Sequence, residues 1–360
     1  MKVATILGTR PEIIKLSPLL PLLEREFEHF IIHTGQHYDY ELDAVFFEEL
    51  HLPAPKYHLH VGSGSQGKQT GIMIEKIEAI LELEKPDAVL VQGDTNTVLA
   101  GSLAASKLHI PIIHLEAGDR NFNKQSPEEI NRIVADHISD ILLAADDLCY
   151  QNLIREGISP QKIFLTGNTI FDACARNFAY AKKSNILNDL GLQEGKYIVI
   201  TIHRAENTEK KEVMQEIVAA LRDLSQDITI VFPMHPRTQK CLLQYGLELS
   251  PQIKVIKPAE YIPFLKLLSA SRFIISESGG IQEEAVVFNV PCIIPLNETC
   301  WPKLVEAGKN FLVGQKKEDI VRKARELLKE SNLQSIKKIP YAYDVDVSDK
   351  ILEVLKSKWK

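Results

Sequence analysis

Three carboxylates and one histidine stand in segments where proton transfer would be built. They are Asp94 in Gln92-Gly93-Asp94-Thr95, Glu116 in His114-Leu115-Glu116-Ala117-Gly118, Glu128 in Pro127-Glu128-Glu129-Ile130-Asn131-Arg132, and His203 in Thr201-Ile202-His203-Arg204. Asp94 and Glu116 end successive apolar runs, where an ionised group is costly unless it has a partner or a task. Carboxylates that converge on one cleft can hold separated pKa values and act as base and acid. Each residue alone is equally well explained as a cap, a turn or an ion pair. Together they favour a site.

Two further segments suit anions. Gly8-Thr9-Arg10-Pro11-Glu12-Ile13-Ile14-Lys15 follows an apolar run and opens a helix, because proline is tolerated in a first helical turn. Arg10 and Lys15 then join the positive helix end. Ser278-Gly279-Gly280 repeats the pattern in the second half of the chain, with glycines that let the backbone approach a diphosphate. Glu283 or Glu284, about one turn later, is placed to accept from both hydroxyls of a ribose. The competing reading of Glu283 and Glu284 is a solvated acidic helix face.

Some patterns point elsewhere and fail on chemistry. Gly62-Ser63-Gly64-Ser65-Gln66-Gly67-Lys68 matches a phosphate loop until Gln69, where magnesium binding requires Ser or Thr. Tyr57–His60 before it is a poor central strand, so a flexible surface loop that orders over ligand is expected there. His33 and His37 are four apart but straddle Gly35 and lack the glutamate of a zinc helix; locally hydrogen-bonded turn residues are expected. No metal site is expected. Neither a serine-hydrolase elbow nor a serine-lysine acylation pattern is present.

The elements that must carry these residues follow from the apolar periodicity. Short Val- and Ile-rich runs recur at Val3–Leu7, Phe30–Thr34, Ala88–Gln92, Pro111–Leu115 and Asp140–Ala144, with helical periodicity between them, as over Gly71–Glu84. A second series follows at Tyr197–Ile202, Ile228–Pro233, Ile253–Ile256, Phe273–Ser276, Pro291–Ile294 and Phe311–Gly314. This alternation predicts an α/β protein of two Rossmann-like, doubly wound domains, 1–170 and 171–346. The amphipathic segment 347–360 is expected to pack back on the first. The candidate loops all lie at strand carboxyl ends and would line an interdomain cleft.

At 360 residues, two cores are the natural prior. The formal charge of −6, with no dense basic stretch, argues against a nucleic-acid partner. The start of the chain reads as a strand rather than a leader, and no apolar run is long enough for a membrane span. Five cysteines with no CxxC pair suit free thiols, so a cytoplasmic protein is expected.

Taken in order, GTRPEIIK (8–15), GDT (93–95), EAG (116–118), PEEINR (127–132), HRAEN (203–207) and SGGIQEEA (278–285) resemble the non-hydrolysing UDP-N-acetylglucosamine 2-epimerases, over nearly the whole chain. The resemblance implies a glycosyltransferase-B-like fold, no cofactor, a UDP-amino sugar as the small-molecule partner and a homodimer. It makes Asp94, Glu116, Glu128 and His203 catalytic, and assigns UDP to Arg10, Lys15, Phe264, Ser278, Gly279, Gly280 and Glu284, with Phe264 close to the uracil. It also implies elimination of UDP across C1–C2 to a glycal, followed by re-addition with protonation on the other face of C2.

The chain departs from that pattern in places. Glu277 precedes Ser278 where the family has Asp, Trp301 replaces an arginine, Asp119 stands where Leu is usual, and Ala259 where a Gln helps hold the nucleotide. Trp301 and the stretch 33–40 resemble members that act on other UDP-amino sugars, such as a 2,3-diacetamido uronate. Of the stretch that holds an activating UDP-sugar in bacterial members, Gln36 and His37 match, but Tyr38 and Lys68 replace arginines, so weak or absent activation is expected. Hydrolysis or glycosyl transfer on the same scaffold, and a silent UDP-sugar-binding module, are the competing classes.

Overall fold

The computed structural model describes residues 1–36, 46–299, 301–341 and 343–358. The chain divides into two compact units, Met1–Ala173 with Asp344–Lys360, and Cys174–Tyr343. Among the described residues, no helix is long and apolar enough to cross a membrane.

The first unit is built on seven parallel strands: β1 (Lys2–Leu7), β2 (Glu28–His33), β3 (Tyr57–His58), β4 (Ala88–Gln92), β5 (Ile112–Ala117), β6 (Ile141–Ala144) and β7 (Ile163–Leu165). Their order is β3-β2-β1-β4-β5-β6-β7. The central strands read as continuous apolar runs because helices cover both faces. On one face Ala4, Ile6, Val89 and Val91 pack with Met73, Ile77 and Leu81 of the helix Gln66–Glu84. All five strands expected from periodicity are present. The two that periodicity missed, β3 and β7, are edge strands of two and three residues, too short to show a pattern.

The helix expected over Gly71–Glu84 begins earlier, at Gln66, with Ser65 at its N-cap. The loop expected at 62–68 therefore ends at Ser65, and Lys68 lies in a helical turn. The strand before it, β3, is at the sheet edge, whereas a phosphate loop follows a central strand.

The second unit has six parallel strands: β8 (Tyr197–Thr201), β9 (Thr229–Pro233), β10 (Ile253–Ile256), β11 (Ile274–Ser276), β12 (Cys292–Ile294) and β13 (Asn310–Leu312), ordered β10-β9-β8-β11-β12-β13. Side chains alternate faces along β8. Ile198 and Ile200 meet Met214, Ile217 and Leu221 of the helix Lys211–Leu224, while Tyr197 and Val199 meet Leu267 and Leu268 of the helix Tyr261–Ser269. Every strand of this series was legible as an apolar run.

The last helix, Val347–Lys358, buries Val347, Ile351, Leu352 and Leu355 and packs on the helix Leu20–Glu26. The Ser348 N–H donates to Asp172 at 2.9 Å, and Lys356 pairs with Glu26 at 2.5 Å. Cys149, Cys174, Cys241 and Cys292 are free thiols; Cys300 lies outside the described residues.

Candidate active site

In a doubly wound sheet the crevice for a ligand opens where the strand order reverses, beyond the strand carboxyl ends. In the first unit that point lies between β1 and β4, and in the second between β8 and β11. The loops leaving these four strands are Gly8-Thr9-Arg10, Gly93-Asp94-Thr95, Ile202-His203-Arg204 and Glu277-Ser278-Gly279. The topology thus brings the Arg10 and Asp94 loops together in the first unit and the His203 and Ser278 loops together in the second.

At the first of these points, a residue the sequence reading passed over ties the two loops together. Glu12 is buried, and its Oε2 accepts from the Gly8 N–H at 2.8 Å, the Thr9 N–H at 2.8 Å and the Thr9 hydroxyl at 2.9 Å. Its Oε1 accepts from the Thr95 hydroxyl, in the other loop, at 2.8 Å. Burial pushes the Glu12 carboxyl up to about 7, against hydrogen bonds that pull it down. The signal was available: Thr9 and Glu12 form a capping box at the start of the helix Arg10–Leu16, with Pro11 in its first turn.

Lys15, on the last turn of that helix, reaches Glu116 and lies 2.7 Å from each of its carboxylate oxygens. Glu116 is aimed by a bulge: the β5–β6 register shifts between Leu115 and Ala117, and Glu116 takes φ 61°. A left-handed non-glycine residue costs roughly 1–3 kcal/mol, and such strain clusters at functional sites. Gly118, two residues on, must be glycine, since a Cβ there would come within 2.3 Å of the Cys149 carbonyl oxygen.

Asp94 is held by Arg132, whose terminal nitrogen is 2.5 Å from its Oδ2. The same nitrogen lies 3.3 Å from Asp119, and the other terminal nitrogen 3.2 Å from Glu129. The half-exposed Asp119 carboxyl is raised above the usual carboxylate range, first by its partial burial and then by the charges of Glu116 and Asp94, while Arg132 and Lys15 oppose the shift. Lys15, Asp94, Glu116, Asp119 and Arg132 therefore form one electrostatic cluster.

Glu128 is placed differently. It is exposed in the first turn of the helix Pro127–Ile138 and accepts from the Ser126 hydroxyl. Its neighbour Glu129 is the buried carboxylate, taking the backbone N–H groups of Asn121 and Phe122 at 3.0 and 2.9 Å as well as Arg132. Adjacent helical residues point about 100° apart, and of this pair Glu129 is the one turned inward. Arg10 opens the helix Arg10–Leu16, with its guanidinium 5.5 Å over the Phe46 ring.

In the second unit, Glu277 at the end of β11 is fully buried and accepts from the backbone N–H groups of His203 and Arg204 and from the Asn207 amide. Burial raises its pKa and these hydrogen bonds oppose the rise. Asn207 is held in turn by Gln315 at 2.7 Å. His203 stacks on His235, ring centroids 5.1 Å apart, and its pKa is lowered by burial and by the nearby Arg204 and Arg237. His203, His235, Pro258, Ala259, Phe264 and Ile281 are among the residues lining one apolar pocket.

Ser278 stands at the N-cap position of the helix Gly279–Val287, and nothing crowds the Cα face of Gly280. Glu283 and Glu284 are both buried, so the alternative of a solvated acidic face is wrong: the helix turns them into the unit, not into water. Burial lifts Glu284 to about 8, although a hydrogen bond from Tyr261 pulls the other way.

The Gln36 Oε1 accepts from the Thr97 N–H and lies 3.0 Å from the Thr97 hydroxyl. His33 makes the local bond expected of it, accepting from the Gly35 N–H at 3.2 Å. The expectations placed on His37 and Tyr38 lie outside the described residues.

The sequence profile of the UDP-N-acetylglucosamine 2-epimerase family matches residues 22–356. Over 333 residues, 89% of this chain, the sequence is 47% identical to a UDP-N-acetylglucosamine 2-epimerase of Methanocaldococcus jannaschii, of which it covers 91%. It is 41% identical over 330 residues to the UDP-2,3-diacetamido-2,3-dideoxy-D-glucuronate 2-epimerase of Pseudomonas aeruginosa, covering 90% of this chain and 92% of that one. The fold is similar to the crystal structure of the M. jannaschii UDP-GlcNAc 2-epimerase in complex with UDP-GlcNAc and UDP. That match has a TM-score of 0.87 at 44% identity, over 99% of this chain and 100% of the other.

Proposed function

The chain belongs to the UDP-N-acetylglucosamine 2-epimerase family, and from that premise we propose that it is an isomerase that inverts C2 of UDP-N-acetylglucosamine to give UDP-N-acetylmannosamine. The observation that carries the reading is the cation-paired carboxylate cluster of Lys15 with Glu116 and Arg132 with Asp94, at the strand-order reversal of the first sheet.

The C2 proton of a sugar is not acidic, so positive character must develop at C1 before a carboxylate can take it. Loss of UDP supplies that character, and elimination across C1–C2 leaves an enzyme-bound glycal. Re-addition of UDP with protonation on the opposite face completes the inversion. In this reading the second unit holds the nucleotide: uracil against Phe264 in the apolar pocket, ribose on Glu284, and diphosphate on Ser278 and the Gly279-Gly280 helix end, with His203. Arg10 and Lys15 add cations to the departing diphosphate, and such preorganised groups act most strongly where charge develops.

Asp94, Glu116 and Glu128 are the proposed acid/base set. Two proton positions on opposite faces of C2 require more than one such group, each worth about 10²–10⁴-fold. Carboxylates, rather than a nicotinamide or a metal, carry the chemistry. The apolar lining around Phe264 and the buried Glu284 support the nucleotide assignment.

A second substrate, UDP-2,3-diacetamido-2,3-dideoxyglucuronate, is favoured by the 41% identity to the P. aeruginosa relative. We place the enzyme in the cytoplasm, consistent with its free thiols, and as a homodimer, which sedimentation would test. Incubation with a panel of UDP-amino sugars in deuterated water tests the reaction. Epimerisation puts deuterium at C2 of intact nucleotide sugar, and the sugar exchanged fastest is the substrate. Release of free sugar and UDP alone, or no exchange with any member, would overturn the reading.

A further inference from the structure

The loops bearing Asp94 and Glu116 are joined by a buried ion group that the chemistry above does not use. His114, in the middle of β5, is fully buried, with Nδ1 2.7 Å from Asp136 Oδ1 and Nε2 2.8 Å from the Gly93 carbonyl oxygen. A carbonyl oxygen only accepts, so Nε2 carries a proton. Asp136 is itself buried, and its Oδ2 takes Arg120 at 2.7 Å and the Gly118 N–H at 3.1 Å. Beside Arg120 it is ionised and accepts only, so Nδ1 carries a proton too.

The ring is therefore an imidazolium, and the fixed charges around it are Asp136 and Arg120, with Glu156 bidentate on Arg120 at 2.7 Å. Burial works against the charged ring, but Asp136 outweighs it and leaves the His114 pKa above its ordinary value. One arm of this group ends on Gly93, adjacent to Asp94. The other, through Asp136, ends on Gly118, two residues past Glu116, whose carbonyl is also held by the Asn152 amide at 3.0 Å.

We infer that His114 is a positioning residue for the proton transfer: its imidazolium, bridged to Gly93 on one side and through Asp136 to Gly118 on the other, fixes the Asp94 loop relative to the Glu116 loop. This rests on the C2-epimerase reading. It gives a buried charged ring a task that packing alone would not require, since an apolar side chain of similar size would fill the strand position without the cost of desolvating an ion.

Two variants separate the arms. His114→Gln can still present an amide N–H to the Gly93 carbonyl, where Nε2 stood. His114→Asn can present one only to Asp136, where Nδ1 stood. Deuterium exchange at C2 is expected to fall about 100-fold in kcat for His114→Asn and less than tenfold for His114→Gln, with KM and the Kd for UDP within about twofold of wild type in both. Nitrogen-15 spectra of the intact wild-type enzyme should show both ring nitrogens of His114 mostly protonated at about pH 6.5, where an ordinary imidazole is half neutral.

Equal losses in the two variants that track their melting temperatures, an undiminished rate in His114→Asn, or a His114 ring that is half or more neutral at pH 6.5 would each overturn the inference. The spectrum decides the matter even if a variant does not fold. If wild-type enzyme exchanges no UDP-amino sugar, the epimerase reading fails instead, and the two failures are distinct.

Discussion

If Glu284 takes the ribose hydroxyls, as proposed, UDP binding is a proton-releasing step. The Glu284 carboxyl is raised to about 8 by burial, so most of it is protonated at pH 7 before nucleotide arrives. Ribose hydroxyls donate, and donors favour the carboxylate over the acid. Binding at pH 7 therefore includes deprotonation, which costs about 1.4 kcal/mol for the one pH unit below 8. The apparent Kd for UDP should tighten about tenfold from pH 7 to pH 9, then level off, with about 0.9 proton released per UDP at pH 7. The terminal phosphate of UDP, with a second pKa of about 6, is largely ionised over this range. Calorimetry in buffers of different ionisation enthalpy counts the protons directly. Glu284→Gln keeps one acceptor but does not titrate, so its Kd should be flat within about twofold and proton release should vanish. A flat wild-type profile, or a Glu284→Gln variant that keeps the slope, would refute the reasoning, because either means that the carboxylate is not what meets the donors.

Glu12 gives a stability signature of the opposite sign, because its carboxyl is raised on folding whereas that of Glu284 falls on binding. The folded pKa of Glu12, about 7, lies above the ordinary carboxylate value, so its contribution is complete below about pH 4.5 and is lost as pH rises through 7. About 3 kcal/mol should disappear between pH 4.5 and 8. Urea unfolding at a series of pH values should show that slope in wild type and a shallower one in Glu12→Gln; identical slopes would rule Glu12 out as its source. The adjacent pair Glu128 and Glu129 should separate activity from stability. Glu128→Gln is expected to change unfolding free energy by less than about 0.5 kcal/mol, as exposed substitutions do, while cutting C2 exchange about 100-fold or more. Glu129→Gln, which disturbs buried bonds to Asn121, Phe122 and Arg132, should cost about 2 kcal/mol in the same unfolding measurement.

The strands were legible wherever both faces of a strand are buried, because burial on two sides writes an unbroken apolar run, as in Val3–Leu7 and Tyr197–Thr201. The edge strands β3 and β7 leave no such trace because they are only two and three residues long, and the pairing of Tyr57–His58 depends on its neighbour β2 rather than on its own pattern. The loop expected over Gly62–Lys68 is only partly a loop, since a helix begins at Gln66 and carries Gly67 and Gly71 in its first turns. Among the candidate site residues, loop position and the turn residues beside them single out Asp94, Glu116, His203 and Ser278. Partners found only through space, such as Arg132 for Asp94, were not legible. Nor was the burial of Glu283 and Glu284, since a run of acidic residues looks the same whether its helix face meets water or a core.

The least legible residues share one job. At each strand-order reversal a buried carboxylate holds two loops that come from neighbouring strands but lie far apart in sequence: Glu12 joins the Gly8-Thr9 loop to Thr95, and Glu277 joins its own strand end to His203 and Arg204. Loops at this position carry backbone N–H groups with no ladder partner, and a buried N–H left unpaired costs about 1–3 kcal/mol. One carboxylate can take several such donors at once, which offsets its own desolvation and leaves a raised pKa as the residue of that contest, as at both positions. The same trade explains why Glu is tolerated at 277: the longer side chain reaches two backbone N–H groups and Asn207 together. A site whose acid and base groups must sit within tenths of an ångström of their substrate needs loops pinned this way. The pins are carboxyl groups because their two oxygens can accept several donors at once, and most strongly when ionised.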